Sequence, residues 1–247
     1  MTTRIRVDQV QTGEVTLASS AAVRHVGKVL RLGVGERVVA FDGRGHERPM
    51  RVLRIDGERI VLVADGEPTS PPPPSLKIVL LQALAKGDKM PRIVRACTEL
   101  GAWRIVPVTT QRTIPRPRQE RASKTERLTR VASEAARQCG RADVTEVLSP
   151  RPLAAALEEL PEGGLRIALW EEERRPLADA LPADKPSSVA ILVGPEGGLS
   201  ESEIAVASSA GFVTASLGRL ILRTETVAPA LVAILQFRYG DLGNAFN

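Results

Sequence analysis

The stretch VAILVGPEGGLSESEIAVASSAGFVTASLGRLILRTETVA, residues 189–228, contains two glycine-bearing loops, and each follows directly after a short apolar run. The first run, residues 189–193, ends in Gly-Pro-Glu-Gly-Gly, and the second, residues 212–217, ends in Gly-Arg followed by Leu-Ile-Leu-Arg-Thr-Glu-Thr. Apolar runs of this length with β-branched residues favour strands, and glycine lets a backbone approach a ligand closely. Strands that end in glycine-rich turns predict an open α/β fold with a ligand site at that edge of the sheet.

The first loop favours a neutral, hydrogen-bonding ligand over a phosphate. No Lys follows the glycines as it does in a P-loop, and Glu196 would repel an anion. A moiety such as adenosine matches this chemistry better. Ser200 and Glu203 have the spacing of a capping box for a following helix, so a strand–turn–helix connection that needs glycine only for its geometry remains an alternative.

The second loop places an apolar triplet, residues 220–222, directly before the segment Arg-Thr-Glu-Thr. Such a triplet can wall an aromatic ring while exposed backbone amides bind the edge of the ring. Thr224 or Thr226 can cap the last helix. Arg223 either pairs with Glu225 as a structural bridge or contacts an anionic substrate.

The run of four prolines at residues 71–74 predicts a domain boundary, because consecutive prolines fit neither a helix nor the interior of a sheet and favour an extended connector. We therefore expect two domains, residues 1–70 and 71–247. Short strands around turns at residues 34–36, 42–45 and 56–57 predict a small β-rich unit before the boundary. Residues 21–32 have the spacing of an amphipathic helix with a basic face.

After the boundary, strands and helices alternate, which predicts a mostly parallel sheet with helices on both faces. Asp88 is the expected cap of the first helix of this part, Cys139 is expected to face inward, and the basic, proline-broken segment 111–121 reads as an exposed loop. The expected strands are residues 77–84, 104–108, 166–170, 189–193 and 212–217, and the expected helices lie within residues 88–101, 124–140, 200–210 and 224–239.

Composition predicts a globular protein, with 43% hydrophobic and 26% charged residues, and no apolar run approaches the length of a membrane helix. Cys97 and Cys139 are expected to be buried, reduced thiols, and no spacing typical of a metal site occurs. Residues 71–150 contain 15 Lys/Arg against 7 Asp/Glu, a net charge of +8, whereas residues 151–247 carry −5. This distribution indicates either a polyanion-binding face or an ordinary solvated surface. A cytoplasmic location is expected.

The combined motifs resemble the RsmE family of ribosomal RNA methyltransferases, which belong to the SPOUT superfamily. The motifs that carry the resemblance are residues 194–198, 217–218 and 221–226, supported by residues 25–31, 34–35, 82–90, 98–101 and 134–141, so the resemblance covers nearly the whole chain. Two positions depart from the family pattern: Val227 stands where alanine is more common, and Ala85 where proline is common.

The resemblance implies a cytoplasmic, homodimeric enzyme that methylates N3 of a uridine in 16S ribosomal RNA, with S-adenosyl-L-methionine as the methyl donor. It implies an N-terminal PUA-like RNA-binding β-barrel and a C-terminal SPOUT domain with a trefoil knot, and the expected substrate is the assembled small subunit. Carried over position by position, the residues expected to bind the cofactor are Leu169, Gly194, Pro195, Glu196, Gly197, Gly198, Leu217, Gly218, Ile221, Leu222, Arg223, Glu225 and Thr226.

Methyl transfer to N3 requires removal of an imide proton, so we expect a cation that stabilises the uracil anion and a base that accepts the proton. Arg223 is the candidate cation, and Glu196 or Glu225 is the candidate base, although either glutamate can serve only to fix loop geometry. SPOUT relatives methylate ribose 2′-hydroxyls or other bases, and the loops alone leave these targets open; a non-catalytic RNA-binding or assembly factor is a further alternative. The residues expected to bind RNA phosphates are Arg24, Lys28, Arg31, Lys86, Arg112, Arg116, Arg118, Arg137 and Arg141.

Overall fold

The computed structural model describes residues 2–18, 23, 32–56, 58–113 and 118–243, apart from the side chains of residues 118–121. Two compact units emerge: the first contains Met1–Pro73 together with Ala136–Val144, and the second contains Pro74–Ala135 and Thr145–Asn247. Residues 71–74 belong to neither a helix nor a strand.

The first unit is a five-stranded sheet in the spatial order β1-β3-β4-β5-β2. Only β1 and β3 pair in parallel, and the other neighbours are antiparallel. The predicted turn at Asp56 joins β4 to β5, as the hairpin signal indicated. The strands are β1 (Arg4–Arg6), β2 (Glu14–Leu17), β3 (Arg37–Phe41), β4 (Glu47–Ile55) and β5 (Ile60–Ala64).

Buried apolar and exposed polar side chains alternate along the strands of this small sheet, which gives it one apolar face. In β4, Met50 and Val52 are buried while Arg51 is exposed, and Val38 and Ala40 of β3 face the same interior. The apolar face closes over a core to which all five strands contribute. The sequence prediction missed β1 and β2, which are three and four residues long and lack flanking hairpin signals. The predicted helix at residues 21–32 lies outside the described residues, except for residues 23 and 32.

The second unit is built on a parallel sheet in the order β12-β10-β11-β6-β7-β8, with β9 also pairing with β7. Every pairing in this sheet is parallel, as predicted. The expected trefoil threading of the last helix stays a prediction. The strands are β6 (Lys77–Ala83), β7 (Arg104–Thr109), β8 (Glu146–Val147), β9 (Arg151–Pro152), β10 (Leu165–Leu169), β11 (Ser188–Val193) and β12 (Val213–Ala215).

Helices flank both faces of this sheet. On one face, Val79 and Leu81 of β6 pack with residues of helices α3 (Leu153–Glu158) and α5 (Glu201–Ser209). Because strand side chains alternate, Leu80 and Gln82 face the other way, where Gln82 contacts Thr224 at the start of the last helix, α6 (Thr224–Tyr239). The described helices are α1 (Lys89–Glu99), α2 (Arg118–Cys139), α3 (Leu153–Glu158), α4 (Leu177–Ala180), α5 (Glu201–Ser209) and α6 (Thr224–Tyr239).

Three local predictions need correction. Helix α2 begins at Arg118, so the proline-broken loop is shorter than expected, because the four residues after Arg118 contain no helix breaker. Cys139 is exposed, since it lies in the last turn, beyond the buried residues Ala135 and Ala136; Cys97 is buried, and burial raises the pKa of its thiol. Asp88 precedes α1 but makes no side-chain cap. Among the described residues no helix is both long and apolar enough to cross a membrane.

Candidate functional site

A cavity of about 480 Å³ lies where β10, β11 and β12 end. Leu169, Val193 and Ala215, the last residues of those three strands, all line it. Since the strands are parallel, their carboxyl ends meet at one edge of the sheet, where the loops leave room for a ligand. The sequence prediction of a ligand site at this edge therefore corresponds to a real concavity.

The structure brings most of the predicted cofactor residues to this cavity. Gly197, Glu225 and Thr226 are not among the lining residues. Whether any of the predicted residues contacts a cofactor stays a prediction. The predicted residues that line the cavity are Leu169, Gly194, Pro195, Glu196, Gly198, Leu217, Gly218, Ile221, Leu222 and Arg223.

The sequence prediction did not include eight of the residues that line the cavity. Most of the missed residues follow the end of a strand or flank a glycine loop, and that position was the available signal. Lys89 differs, because it comes from the first turn of α1, far away in sequence. The missed residues are Lys89, Trp170, Glu171, Val193, Ala215, Ser216, Arg219 and Val227.

The first glycine loop, residues 194–198, requires glycine for steric reasons. Gly198 has φ +72°, and a Cβ added there would lie 1.7 Å from Oε1 of Glu171. The loop then enters α5 through the predicted capping box: Oγ of Ser200 accepts from the N–H of Glu203, while the Glu203 carboxylate accepts from the N–H of Ser200 at 2.9 Å. The turn itself is closed by a hydrogen bond from the N–H of Gly198 to the carbonyl oxygen of Pro195, at 3.0 Å, and the capped helix follows it directly.

Lys89 connects this loop to the beginning of α6. Its ammonium lies 2.9 Å from Oε1 of Glu196 and 3.4 Å from Oε2 of Glu225. The backbone N–H of Lys86 also donates to Oε1 of Glu196, at 3.0 Å. The two candidate bases are therefore both ion-pair partners of one lysine.

These contacts change the protonation of all three side chains. Burial opposes ionisation of Glu196, but hydrogen bonds from Lys89 and from backbone N–H groups hold its pKa below the usual value. The backbone N–H of Glu225, followed by Lys89, lowers the pKa of Glu225. The hydrogen bond to Glu196 raises the pKa of Lys89. Both carboxylates are thus held ionised.

A second connection runs through buried neutral groups. Nε2 of Gln82 donates to Oγ1 of Thr224 at 3.2 Å, and Oγ1 of Thr224 donates to the carbonyl oxygen of Gly194 at 3.0 Å. Both side chains are buried. The start of α6 is therefore hydrogen-bonded to the first glycine loop and to the end of β6. The prediction that Thr224 caps the helix is wrong, because its hydroxyl makes these bonds instead. Thr226 does not cap it either, because the N-cap position belongs to Arg223, which makes no side-chain cap.

The second loop, residues 216–223, is held less tightly. Oγ of Ser216 accepts from the N–H of Gly218 at 3.2 Å, which closes the turn. Leu220 and Ile221 line the cavity but are 81% and 97% exposed. Arg223 is exposed at the same rim, and no described carboxylate lies within ion-pair distance of its guanidinium. The predicted Arg223–Glu225 bridge is therefore replaced by the pair that Glu225 forms with Lys89.

The predicted RNA-binding residues fall into two groups where they are described. In the second unit, Lys86 and Arg112 are exposed beside residues 194–198, and the guanidinium of Arg112 donates to the carbonyl of Gly197. In the first unit, Arg141 pairs with Asp143 at 2.6 Å and is 11% exposed, and Arg137 is half-buried. Contact of these residues with RNA stays a prediction. The residues that lie outside the described part are Arg24, Lys28, Arg31, Arg116 and the side chain of Arg118.

Two family models match the chain. The first, an RNA methyltransferase domain, covers residues 72–236. The second, an RNA methyltransferase PUA domain, covers residues 19–65. Together they account for both units of the fold.

Known proteins resemble the chain over nearly its full length. Ribosomal RNA small subunit methyltransferase E of Synechocystis is 32% identical over 92% of this chain and 74% of its own. The enzyme of the same name from Neisseria gonorrhoeae, crystallised with S-adenosyl methionine, has a TM-score of 0.89 and is 30% identical, covering 98% of this chain and 100% of its own. A putative methyltransferase of Legionella pneumophila, solved with bound SAM, has a TM-score of 0.90 and 32% identity with the same coverage.

Proposed function

The chain belongs to the RsmE family of ribosomal RNA methyltransferases, and we propose that it transfers a methyl group from S-adenosyl-L-methionine to N3 of a uridine in 16S ribosomal RNA. The observation that carries the proposal is the cavity at the ends of β10, β11 and β12. It lies in a fold with a TM-score of 0.89 to an enzyme crystallised with the same cofactor.

The cavity suits S-adenosylmethionine. A volume of about 480 Å³ lies in the range of pockets that hold small ligands. Leucine side chains at residues 169, 217 and 222 can wall the adenine ring, and the backbone of the two loops offers hydrogen-bonding groups for its edge and for the ribose. The indole N–H of Trp170, which lines the cavity, has no hydrogen-bond partner among the described residues. When bound, the cofactor supplies an electrophilic methyl group on a positively charged sulfur.

The residues of the chain then have to position the uracil and stabilise the charge that develops on it. Arg223 is exposed at the rim of the cavity with no described carboxylate within ion-pair distance, so its guanidinium can stabilise the uracil anion as the N3 proton leaves. Glu196 and Glu225 are weak proton acceptors, because hydrogen bonds from backbone N–H groups, together with their ion pairs with Lys89, lower their pKa values. We therefore assign both glutamates to positioning the loop. The N3 proton is then accepted by solvent, while Arg223 stabilises the uracil anion.

The RNA substrate would be recognised through phosphate contacts and shape. Lys86 and Arg112 lie next to the first glycine loop, so they can bind the backbone on either side of a uridine that enters the cavity. Aromatic residues make up 3% of the chain, too few for an extended stacking platform for single strands. The proposed substrate is therefore the folded RNA of the assembled small subunit, and the proposed setting is a cytoplasmic homodimer.

One labelling experiment tests the proposal. Small ribosomal subunits that lack the modification are incubated with the protein and S-adenosylmethionine carrying a labelled methyl group, and the modified nucleotide is mapped by mass spectrometry. Label on N3 of a single uridine supports the proposal. Label on a ribose, or no label, refutes it. Free 16S RNA and a short oligonucleotide serve as parallel substrates, and equal methylation of the oligonucleotide and the subunit would contradict the assembled-subunit part.

A further inference from the structure

Glu171 occupies a position in the cavity that its two glutamate neighbours do not share. It follows Trp170 at the carboxyl end of β10 and lines the cavity, and its carboxylate lies against Gly198: a Cβ on that glycine would lie 1.7 Å from Oε1 and 2.7 Å from Oε2. The carboxylate is thus held between the end of one strand and the first glycine loop.

The charges around the cavity leave this carboxylate without a counter-ion. Lys89 is paired with Glu196 and Glu225. No described Lys or Arg lies within ion-pair distance of Glu171, and no described donor forms a hydrogen bond with its carboxylate. Glu171 is exposed to solvent, and a cationic group that enters the cavity gains a favourable interaction with this unpaired carboxylate.

The run of three glutamates does not act as a unit. Oε1 of Glu173 accepts hydrogen bonds from the N–H groups of Arg174 and Arg175 at 2.7 and 2.9 Å, and its Oε2 accepts one from Thr214. These bonds give Glu173 a structural role in the turn. Glu172 is exposed, as Glu171 is, but it does not line the cavity at the ends of β10, β11 and β12. Only the first glutamate of the run therefore combines a place in the cavity with a free carboxylate.

We propose that Glu171 binds the positively charged methionine end of S-adenosylmethionine. The inference rests on the proposed function, because it takes that cofactor as the occupant of the cavity. The cofactor carries two cationic groups, a sulfonium and an α-ammonium, and an interaction of either with a carboxylate is a charge-assisted contact of the stronger kind. Contact with the sulfonium would also help the protein release the neutral thioether product.

The test compares Glu171→Gln with Glu172→Gln, a neighbouring substitution with the same chemistry outside the cavity. Isothermal titration calorimetry measures the affinity of each protein for S-adenosylmethionine, S-adenosylhomocysteine and methylthioadenosine, which has no amino-acid part and no positive charge. We expect Glu171→Gln to bind S-adenosylmethionine about tenfold more weakly than the wild type. Glu172→Gln should match the wild type for all three ligands, and Glu171→Gln should match it for methylthioadenosine, which also shows that the variant is folded.

The product analogue separates the two cationic groups. An undiminished affinity for S-adenosylhomocysteine in Glu171→Gln identifies the sulfonium as the contact, and a parallel loss identifies the α-ammonium; either supports the proposal. Unchanged binding of S-adenosylmethionine overturns it, as does an equal loss for all three ligands, since that loss would come from a distorted cavity. A wild-type protein that binds none of the three ligands would refute the proposed function instead.

Discussion

Replacing Thr224 by valine tests whether the start of α6 holds the first glycine loop in place. Valine has nearly the shape of threonine but no hydroxyl, so the change removes two hydrogen bonds without opening a cavity. One is the bond from Nε2 of Gln82, at 3.2 Å, and the other is the bond to the carbonyl oxygen of Gly194, at 3.0 Å. Thr224 is 6% exposed, which keeps water from replacing the hydroxyl.

The size of the effect follows from what the substitution leaves behind. The carbonyl of Gly194 loses a donor, and the buried amide of Gln82 keeps only its bond to the carbonyl of Ala83, at 3.1 Å. Leaving one buried polar group unsatisfied costs about 1–3 kcal/mol. The Gly194 carbonyl and the Gln82 amide each lose one hydrogen-bond partner, and the amide keeps its other bond. We therefore expect Thr224→Val to lower the free energy of unfolding by about 3 kcal/mol.

Urea denaturation followed by circular dichroism measures this free energy, and Thr226→Val is the matched control. Thr226 lies in the same turn of α6 but is exposed, so its substitution should change stability by less than about 0.5 kcal/mol. Adding Gln82→Leu to Thr224→Val should recover part of the loss, because no buried amide then lacks its partner. If Thr224→Val and Thr226→Val had equal stability, the hydrogen-bonded connection would contribute nothing and the reasoning would fail.

Three further predictions concern charged residues. Arg223→Ala should retain binding of S-adenosylmethionine in calorimetry but lose most methylation of small subunits, and unchanged turnover would exclude Arg223 from the chemistry. Lys89→Met should have a lower free energy of unfolding than the wild type at neutral pH. This difference in free energy should shrink as the pH falls below about 4.5 and through the lowered pKa values of Glu196 and Glu225, because protonated glutamates no longer pair with Lys89. Urea titrations at several pH values measure it, and Lys86→Met is the control, because the ammonium of Lys86 forms no described ion pair. Lys86→Ala should weaken RNA binding and reduce the slope of log Kd against log salt concentration by about 1, and an unchanged slope would remove Lys86 from the RNA surface.

The main strands of the second unit, β6, β7, β10, β11 and β12, could be predicted from the sequence, because each is a short apolar run that ends in a loop signal. The two-residue strands β8 and β9 and the short helices α3 and α4 could not be predicted, since segments of two to six residues carry too little periodicity to be recognised. The helix from Thr224 to Tyr239 and the capping box of Ser200 and Glu203 appear as expected, since both depend on local spacing. The small strands β1 and β2 could not be predicted. They owe their conformation to pairing with β3 and β5, which lie far along the chain, and their own sequences contain no periodic signal.

In the site, as in the fold, features that lie within one stretch of sequence could be predicted, and contacts between distant segments could not. Both glycine loops could be identified because they belong to one continuous stretch. The partners of their charged residues could not, since Lys89 and Arg112 are about a hundred residues away and reach the loops only through the pairing of β6 with β11 and with β7. The sequence alone therefore leaves open whether Glu196 acts as a base. The ion pair with Lys89 gives the physical reason to assign Glu196 to positioning the loop instead.

The contacts that hold residues 194–198 come from three distant segments: Thr224 from α6, Lys89 from α1 and Arg112 from the segment after β7. None of these contacts can form in a chain whose sheet has not assembled, so the ligand-binding geometry of the loop exists only in the folded domain. A ligand that binds only this geometry stabilises the fold by RT ln(1 + [L]/Kd), which is about 2.7 kcal/mol at a concentration of 100 Kd. Because the three contacts hold the loop geometry itself, weakening any one of them should reduce cofactor affinity by the factor by which it lowers the population of that geometry in the folded domain.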